Sequence, residues 1–367
     1  MSSNATVRVL PVEEIVARAA GMTPPLRFPD AATFFAERAM RLRQLASGHA
    51  MGDFLQFMSA LALAQQEAIK ALKARGGLPI PDADAIDRAA RAGVPPLAAA
   101  DWPRDPAWHG ALRGIVHRMQ REVRQGPAVE VLARLESADE VFLERQADAL
   151  LNGVMSGLDL AAAPVVAAAL QVLWAHLAGE VARAHAEREG ERGGATDTRA
   201  VGLLDDPGIC PCCGSRPVAS ITRTAGGDAG QRYLHCSLCA TEWHLPRGRC
   251  THCGEAATGK VAYQSLDRAD AEGGEDSAGR AAKAAVQAET CDTCGHYLKI
   301  IHGDREPFAE PVADDLASIT LDLLVAETGK LRHGVNLMLL FGEAEEPQEP
   351  DTAAPAPAPS PPRDRGP

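Results

Sequence analysis

The sequence CPCCG at residues 210–214, followed by CSLC (236–239), CTHC (250–253) and CDTC (291–294), decides how the second half of this chain folds. Each stretch holds two cysteines three positions apart, so both sulfur atoms can converge on one ion. Eight such thiols are the ligand set of two tetrahedral S4 sites, which select zinc or iron over calcium or magnesium. The predicted metal ligands are Cys210, Cys213, Cys236, Cys239, Cys250, Cys253, Cys291 and Cys294.

The residue that follows each cysteine pair supports this interpretation. It is glycine in three pairs (Gly214, Gly254 and Gly295), and Ala240 takes the position in the other pair. Glycine there relaxes the backbone, so that amides can point at a thiolate sulfur. The first stretch also has the Cys-Pro-x-Cys-Gly form found in rubredoxin, a mononuclear iron protein. The ninth cysteine, Cys212, is expected to be a bystander thiol.

Two groupings of the four pairs are open. Sequential grouping is favoured, because Gln231–His235 can return as a hairpin directly onto Pro217–Arg223. An interleaved cross-brace is the alternative. The histidines beside the pairs are expected to be neighbours of the sites, since eight cysteines already complete two ligand sets; they are His235, His244, His252 and His296.

Other uses of paired cysteines fit less well. A disulfide framework needs an oxidising compartment, but the N-terminus has no cationic start followed by an apolar stretch, so we expect a cytoplasmic protein. A dithiol oxidoreductase needs a cysteine pair at a helix N-terminus, whereas these pairs lie among strands and turns. A zinc deaminase is excluded, because Pro211 lies between the wrong cysteines.

Composition limits the remaining classes. The 367 residues suggest two or three domains, and the net charge of −12 argues against nonspecific nucleic-acid binding. Basic residues nevertheless outnumber acidic ones between Gly208 and Leu266, so a nucleic-acid-binding zinc ribbon stays open as an alternative function. These basic residues are Arg216, Arg223, Arg232, Arg247, Arg249 and Lys260.

Residues 1–190 are expected to form a helical domain of six or seven helices. Apolar residues recur there at helical spacing, for example in the stripe Phe35, Ala39, Leu42 and Ala46, and no alternating pattern interrupts them. The most apolar stretch, Leu160–Leu177, is predicted to be a buried helix and not a membrane span, because it contains proline, glutamine and histidine.

After this domain, the spacing of apolar residues changes from helical to strand-like. Short strand-like runs begin or end at the cysteine pairs: Pro217–Arg223, Gln231–His235, Thr241–Leu245, Lys260–Leu266 and His296–His302. The predicted fold class is α+β, with a helical N-terminal bundle, two tandem rubredoxin- or zinc-ribbon-like metal modules and a C-terminal helix. The predicted boundaries are a linker at 191–207, metal modules at 208–249 and 250–311, an insertion at 267–289, a C-terminal helical segment at 312–342 with its helix over Val312–Glu327, and a disordered tail at 343–367.

Several strings resemble the formate dehydrogenase accessory protein family, FdhE. They are Arg232–Cys239 with Thr241–His244, Glu289–Cys291 with Tyr297–Ile300, Glu310–Ala317, and Met51–Phe54 with Arg38, Arg41-Leu42 and Gly48-His49 in the helical half. The resemblance covers about residues 10–342. The chain departs from the family's pattern in the insertion and in the proline-rich tail.

The resemblance implies an accessory role and no catalysis. Family members are cytoplasmic, act on the catalytic subunit of formate dehydrogenase, and carry rubredoxin-like iron sites. It therefore implies two mononuclear ions per chain, with iron favoured and zinc as the alternative, and the eight paired cysteines as ligands. Asp314 and Asp315 match the family outside the ligand set, so we expect them to dock the client, or else to cap their helix. A rubredoxin-like electron carrier is the alternative function.

Overall fold

The computed structural model describes residues 23–76, 78–191, 200–202, 204–224, 230–266 and 283–340. Parts of the predicted linker and insertion, and the whole predicted tail, lie outside these residues. Within them, the first half contains a short strand, β1, and seven helices. Their bounds are β1 Leu26–Arg27, α1 Phe34–Ala46, α2 Gly52–Ala74, α3 Ala83–Ala92, α4 Ala107–Glu122, α5 Pro127–Ser137, α6 Glu140–Asn152 and α7 Ala163–Glu191.

The seven helices among the described residues agree with the expected six or seven, and α1 forms over the apolar stripe that predicts it. The α1 stripe is buried against α2, and the long helix α7 lies in the core with alanine, valine and leucine on all sides. The segment Ala163–Arg188 is long and apolar enough to cross a membrane, but 83% of its most apolar window is buried inside the protein. An all-round apolar helix of this kind is typical of a protein core. The prediction of a buried helix here is confirmed.

The second half forms one sheet, and β1 from the first half adds an edge strand to it. Its strands are β2 Pro217–Thr222, β3 Arg232–Cys236, β4 Glu242–His244, β5 Val261–Gln264, β6 Val286–Cys291, β7 His296–His302 and β8 Leu331–Arg332. The strand order is β1-β4-β3-β2-β7-β6-β5, and β8 pairs with β7. All five predicted strand-like runs contain a strand. Residues 286–289, which the sequence assigns to the insertion, instead belong to β6.

The sheet contains an internal repeat. We call residues 210–244 the first cysteine module and residues 250–302 the second cysteine module. Each has the order cysteine pair, strand, strand, cysteine pair, strand, and each contributes three neighbouring strands in the same spatial order. The modules join where β2 pairs in parallel with β7, with Ser220 opposite Ile300 and Thr222 opposite His302. The two tandem modules therefore share a continuous sheet.

The C-terminal segment forms two helices, α8 Pro311–Ala317 and α9 Ile319–Glu327, instead of the single predicted helix. The break lies at Ser318, whose hydroxyl donates to the carbonyls of Asp314 and Asp315. The ammonium of Lys299 also donates to the Asp315 carbonyl, at 2.8 Å. These side chains compete with the helical hydrogen bonds and end the first helix. The overall α+β class is as predicted.

Candidate metal centres

The first cysteine module brings four sulfur atoms together in the protein interior. The thiols of Cys210, Cys213, Cys236 and Cys239 all lie within 4.8 Å of one another. The Sγ atoms of Cys210 and Cys239 are 3.6 Å apart, and those of Cys213 and Cys236 are 3.4 Å apart. All four residues are buried, with at most 1% of their surface exposed. We call these four thiols the first sulfur cluster.

The second cysteine module repeats the arrangement near the surface. The thiols of Cys250, Cys253, Cys291 and Cys294 also lie within 4.8 Å of one another. The Sγ atoms of Cys250 and Cys294 are 3.6 Å apart, and those of Cys253 and Cys291 are 3.8 Å apart. Cys253 is exposed and Cys294 is half-buried. We call these four thiols the second sulfur cluster. The grouping of the four pairs is sequential, which confirms the favoured alternative.

The sulfur geometry fits a tetrahedral ion. Metal–sulfur bonds of about 2.3 Å place the sulfurs of a regular tetrahedron about 3.8 Å apart, close to the distances in both clusters. All nine cysteines are free thiols, so neither cluster is a disulfide pair. Burial raises the pKa of the Cys210 and Cys236 thiols above the ordinary value. A bound cation offsets this cost, because it stabilises thiolate over thiol. Each cluster could hold one metal ion.

The backbone around each pair folds as the following residue predicts. Gly214, Gly254 and Gly295 have φ angles of 77°, 74° and 72°, and Ala240, the one non-glycine with positive φ among the described residues, has 58°. Each of the three glycine amides donates to the carbonyl of the first cysteine of its pair, at 2.8 to 3.0 Å. Amides also approach sulfur directly: those of Leu238 and Cys239 lie 3.4 Å from Cys236 Sγ. Such contacts would stabilise negative charge on a thiolate sulfur.

The helical domain covers the first sulfur cluster. The amides of Leu97 and Ala99 donate to the carbonyls of Cys212 and Cys213, at 3.0 and 2.9 Å. From the core helix α7, the Gln171 side chain donates to the carbonyl of Ser237 at 2.7 Å. The thiol of Cys212 is buried beside the cluster but does not belong to its four convergent sulfurs. The first sulfur cluster is therefore part of the joint between the helices and the sheet.

The flanking histidines lie beside the clusters, outside both groups of convergent sulfurs. The His235 ring contacts the buried carboxylate of Glu242 at 3.1 Å. The His252 ring stacks on His296 at 3.7 Å between ring centres, and its Nδ1 lies 3.3 Å from Nδ1 of His333. Sequence reasoning missed His333 in this group, because it lies 81 positions from His252 and beside no cysteine pair.

Two of the predicted basic residues, Arg223 and Arg232, form ion pairs with buried carboxylates. Burial disfavours the charged form of Glu242, but its partners Arg223 and His235 outweigh burial and lower the pKa of this carboxyl to about 2. Arg232 is fully buried and pairs with Glu289 at 2.6 Å. Its guanidinium also donates to the Arg249 carbonyl and to the Thr251 hydroxyl. Arg232 thus ties the first module to the second, a role that the sequence did not indicate.

Asp314 and Asp315 do not form an exposed docking face. Asp314 is 3% exposed, and its carboxylate accepts hydrogen bonds from Arg41 on α1, the shortest at 2.6 Å. It also accepts from the amide of Glu310, whose own side chain caps α8 by accepting from the Ala313 amide. Burial nonetheless raises the pKa of Asp314 above its ordinary value.

Asp315 is 1% exposed and lies in an ionic cluster beside the sheet. Its carboxylate is 3.0 Å from the ammonium of Lys299 and 2.7 Å from the guanidinium of Arg332. Burial disfavours its charge, but these cations outweigh burial and lower the pKa of Asp315. The partners explain why an aspartate pair stands here: one carboxylate anchors α8 to the helical domain, and the other anchors it to the sheet.

Comparison with known proteins identifies the relatives of this chain. Family models described as "FdhE, N-terminal", "FdhE, central domain" and "FdhE, C-terminal domain" match residues 23–191, 209–247 and 249–339. The Protein FdhE of Escherichia coli O1:K1 is 36% identical over 344 residues, covering 93% of this chain and all of the relative. The FdhE of strain S88 of Escherichia coli O45:K1 matches equally well. The crystal structure of the FdhE protein from Pseudomonas aeruginosa superposes with a TM-score of 0.69, at 34% identity, over 87% of this chain and all of that one.

Proposed function

Because the chain belongs to the FdhE family, we propose that it is a non-catalytic accessory protein for the maturation or assembly of formate dehydrogenase. In this proposal the protein works in the cytoplasm and binds the catalytic subunit of the enzyme. The single observation that carries the proposal is the presence of two convergent four-cysteine clusters, on a chain that the FdhE family models match between residues 23 and 339.

The two clusters are proposed to hold one metal ion each. The eight paired cysteines would be the ligands. Iron is favoured by the resemblance to the family, and zinc is the alternative, because S4 sites accept both metals. Metal binding contributes to the free energy of folding. In zinc-binding peptides this contribution is on the order of 10 kcal/mol. The chain's own contribution is the backbone geometry at the cysteine pairs and the amides that lie against their sulfur atoms.

The geometry favours an accessory role over catalysis. Catalytic metal sites keep a coordination position open for water or substrate, whereas four protein ligands close a tetrahedral site. Each cluster offers four sulfur atoms and is thus complete. The first cluster is also sealed from solvent beneath the helical domain. Such sites shape a binding surface and do not activate a small substrate.

One observation favours a second candidate, a rubredoxin-like electron carrier. The Cys253 thiol is exposed, which would bring the second ion close to a partner's surface. A reversible change in visible absorption with a measurable potential would support this candidate. Colourless, zinc-loaded protein that still supports the enzyme would exclude it.

The test of the proposed function combines binding with maturation. The chain should bind the purified catalytic subunit of a respiratory formate dehydrogenase and restore formate dehydrogenase activity in cells that lack their own FdhE. The Cys213→Ser variant should lose both properties together with its metal. The matched control is Cys212→Ser, which removes the neighbouring buried thiol outside the cluster and should keep the metal. Wild-type protein that neither binds the subunit nor restores activity would refute the proposed function.

A further inference from the structure

A cavity of about 540 Å³ opens where the helical domain, the first cysteine module and the C-terminal segment meet. Residues 149–158, at the end of α6 and just beyond it, form one wall, and residues 332–340 form another. The floor contains Gly214–Arg216 and, between the cysteines of the second pair, Ser237 and Leu238. We call this cavity the junction groove. Its volume is that of sites that bind drug-sized ligands, which also favour domain junctions.

The chemistry of the junction groove is apolar and cationic. Leucines from three segments line it: Leu150 and Leu158, Leu238, and Leu337 with Leu339 and Leu340. Of the residues that the structure describes, no aspartate or glutamate lines it. Arg332 is neutralised by Asp315 and Asp322. Arg216 is exposed, and no carboxylate of a described residue lies within ion-pair distance of it. A carboxylate would therefore complement the groove.

A buried polar atom points to a missing partner. Ser237 is 3% exposed and lines the junction groove, and its Oγ makes no hydrogen bond within the described part of the chain. A hydroxyl buried in this way costs stability unless something bonds to it. An amide or carbonyl of a bound polypeptide would supply that bond. The unpaired cation and the unbonded hydroxyl are independent observations at one site.

We propose that the junction groove binds a segment of the client polypeptide that combines aliphatic side chains with an acidic residue. The aliphatic side chains pack on the leucines, the carboxylate pairs with Arg216, and the backbone bonds to the Ser237 hydroxyl. The inference rests on the proposed function, which supplies a polypeptide partner, and it locates the binding surface on this chain. Since the groove lies between the helical domain and the first module, its occupant contacts both.

Charge reversal provides the first test, with the full-length protein and the purified catalytic subunit of a respiratory formate dehydrogenase. Arg216→Glu should weaken binding about ten-fold or more at low salt. The matched control is Arg43→Glu, which makes the same charge change at an exposed position on α1 and should leave affinity within about two-fold. Wild-type affinity in Arg216→Glu would overturn this inference but not the proposed function. No binding by the wild-type protein would overturn both.

The Ser237→Ala variant separates binding from folding. It should weaken client binding by about three- to ten-fold, the value of one hydrogen bond. The midpoint of chemical unfolding of the free protein should not fall, because the hydroxyl has no partner within the described part of the chain. A lower midpoint with unchanged affinity would show a purely structural hydroxyl and contradict the inference.

A photo-cross-linker identifies the occupant. Leu339→p-benzoylphenylalanine should cross-link to a client segment that contains an acidic residue among aliphatic ones, whereas Met40→p-benzoylphenylalanine, on exposed α1 surface, should not. Cross-links to a second copy of this chain, or to its own residues 343–367, would identify a different occupant and overturn the proposal.

Discussion

The two cysteine modules have the same element order and opposite surroundings. Both hold four convergent sulfurs, but the first cluster is sealed under the helical domain while Cys253 of the second faces solvent. The difference comes from residues outside the modules, since Leu97, Ala99 and Gln171 bond to the backbone of the first. A repeated cysteine motif therefore fixes the sulfur geometry, and the surrounding fold decides what can reach each cluster.

Because of these different surroundings, we expect the two clusters to stabilise different parts of the protein. Loss of the first should disturb the joint between helices and sheet, because the buried cysteines belong to the same hydrophobic core as α7. Loss of the second cluster should disturb mainly the part of the sheet formed by β5, β6 and β7. The exposed leucine Leu331, whose amide donates to the Gly295 carbonyl, adds an apolar edge beside this cluster.

Removing one ligand from each module gives the largest expected difference. Cys236→Ser should lose the first metal and lower the free energy of unfolding by about 5 kcal/mol or more, with loss of helical-domain cooperativity. Cys253→Ser should lose only the second metal and leave the thermal transition of the helices nearly unchanged. Elemental analysis and circular dichroism measure both effects. Unchanged metal content in Cys236→Ser would contradict the ligand assignment.

Cutting the tie between the modules comes next in size. Arg232→Met leaves Glu289 buried without its cation and should destabilise the protein by about 3–5 kcal/mol. Adding Glu289→Met should recover most of this loss, because no uncompensated charge remains. Urea unfolding of the metal-loaded variants measures it. The exposed pair Arg183–Glu187 is the control, and its loss should leave the unfolding midpoint nearly unchanged, because solvent screens exposed ion pairs.

The seam between the modules should also respond to pH. Burial and the nearby Arg305 lower the pKa of His302 on β7 to about 4, from 6.5. Between pH 6.5 and pH 4, His302 is therefore protonated in the unfolded chain and neutral in the folded protein. The free energy of unfolding is therefore highest above pH 6.5 and falls as the pH decreases toward 4.

His302→Gln should remove this dependence, which amounts to about 1 kcal/mol between pH 6.5 and pH 5 once solvent screening is allowed for. Urea unfolding at the two pH values measures it, with metal content checked at both. The exposed His117→Gln should follow the wild type. Parallel pH curves for His302→Gln and wild type would show that this histidine does not govern the seam.

The smallest effect concerns one backbone position. Ala240 adopts the left-handed conformation that glycine occupies after the other three pairs. Ala240→Gly should stabilise the first module by about 0.5 to 1 kcal/mol, because the side chain is strained there. Gly295→Ala in the second module should have the opposite effect, by about 1 kcal/mol. Thermal unfolding of the metal-loaded proteins distinguishes the two signs.

Local sequence patterns predicted most of the helices and strands. The stripe of Phe35, Ala39, Leu42 and Ala46 predicts α1, the run His296–His302 predicts β7, and the hairpin onto Pro217–Arg223 predicts the sequential grouping. In each case the decisive neighbours lie within one element or one hairpin. The positive φ after three of the pairs follows from the glycines themselves.

Long-range partners were beyond local patterns. Residues 286–289 look like part of a polar insertion, yet they form a strand because β5 and β7 pair with β6 on its two sides. Asp314 and Asp315 look like an exposed acidic helix start, but Arg41 lies 273 positions from Asp314, and Arg332 lies on a strand that follows both helices. No spacing rule in a single sequence places such partners.

We predict that each sulfur cluster binds one metal ion through its four sulfur atoms. X-ray absorption spectroscopy and elemental analysis of anaerobically purified protein test it most directly, with Cys253→Ser measured alongside the wild type. We predict two metal ions per chain with four sulfur neighbours at about 2.3 Å, and one ion with the same coordination in the variant. A wild-type chain with fewer than two ions, or with oxygen or nitrogen in place of sulfur, would refute the assignment of two S4 sites.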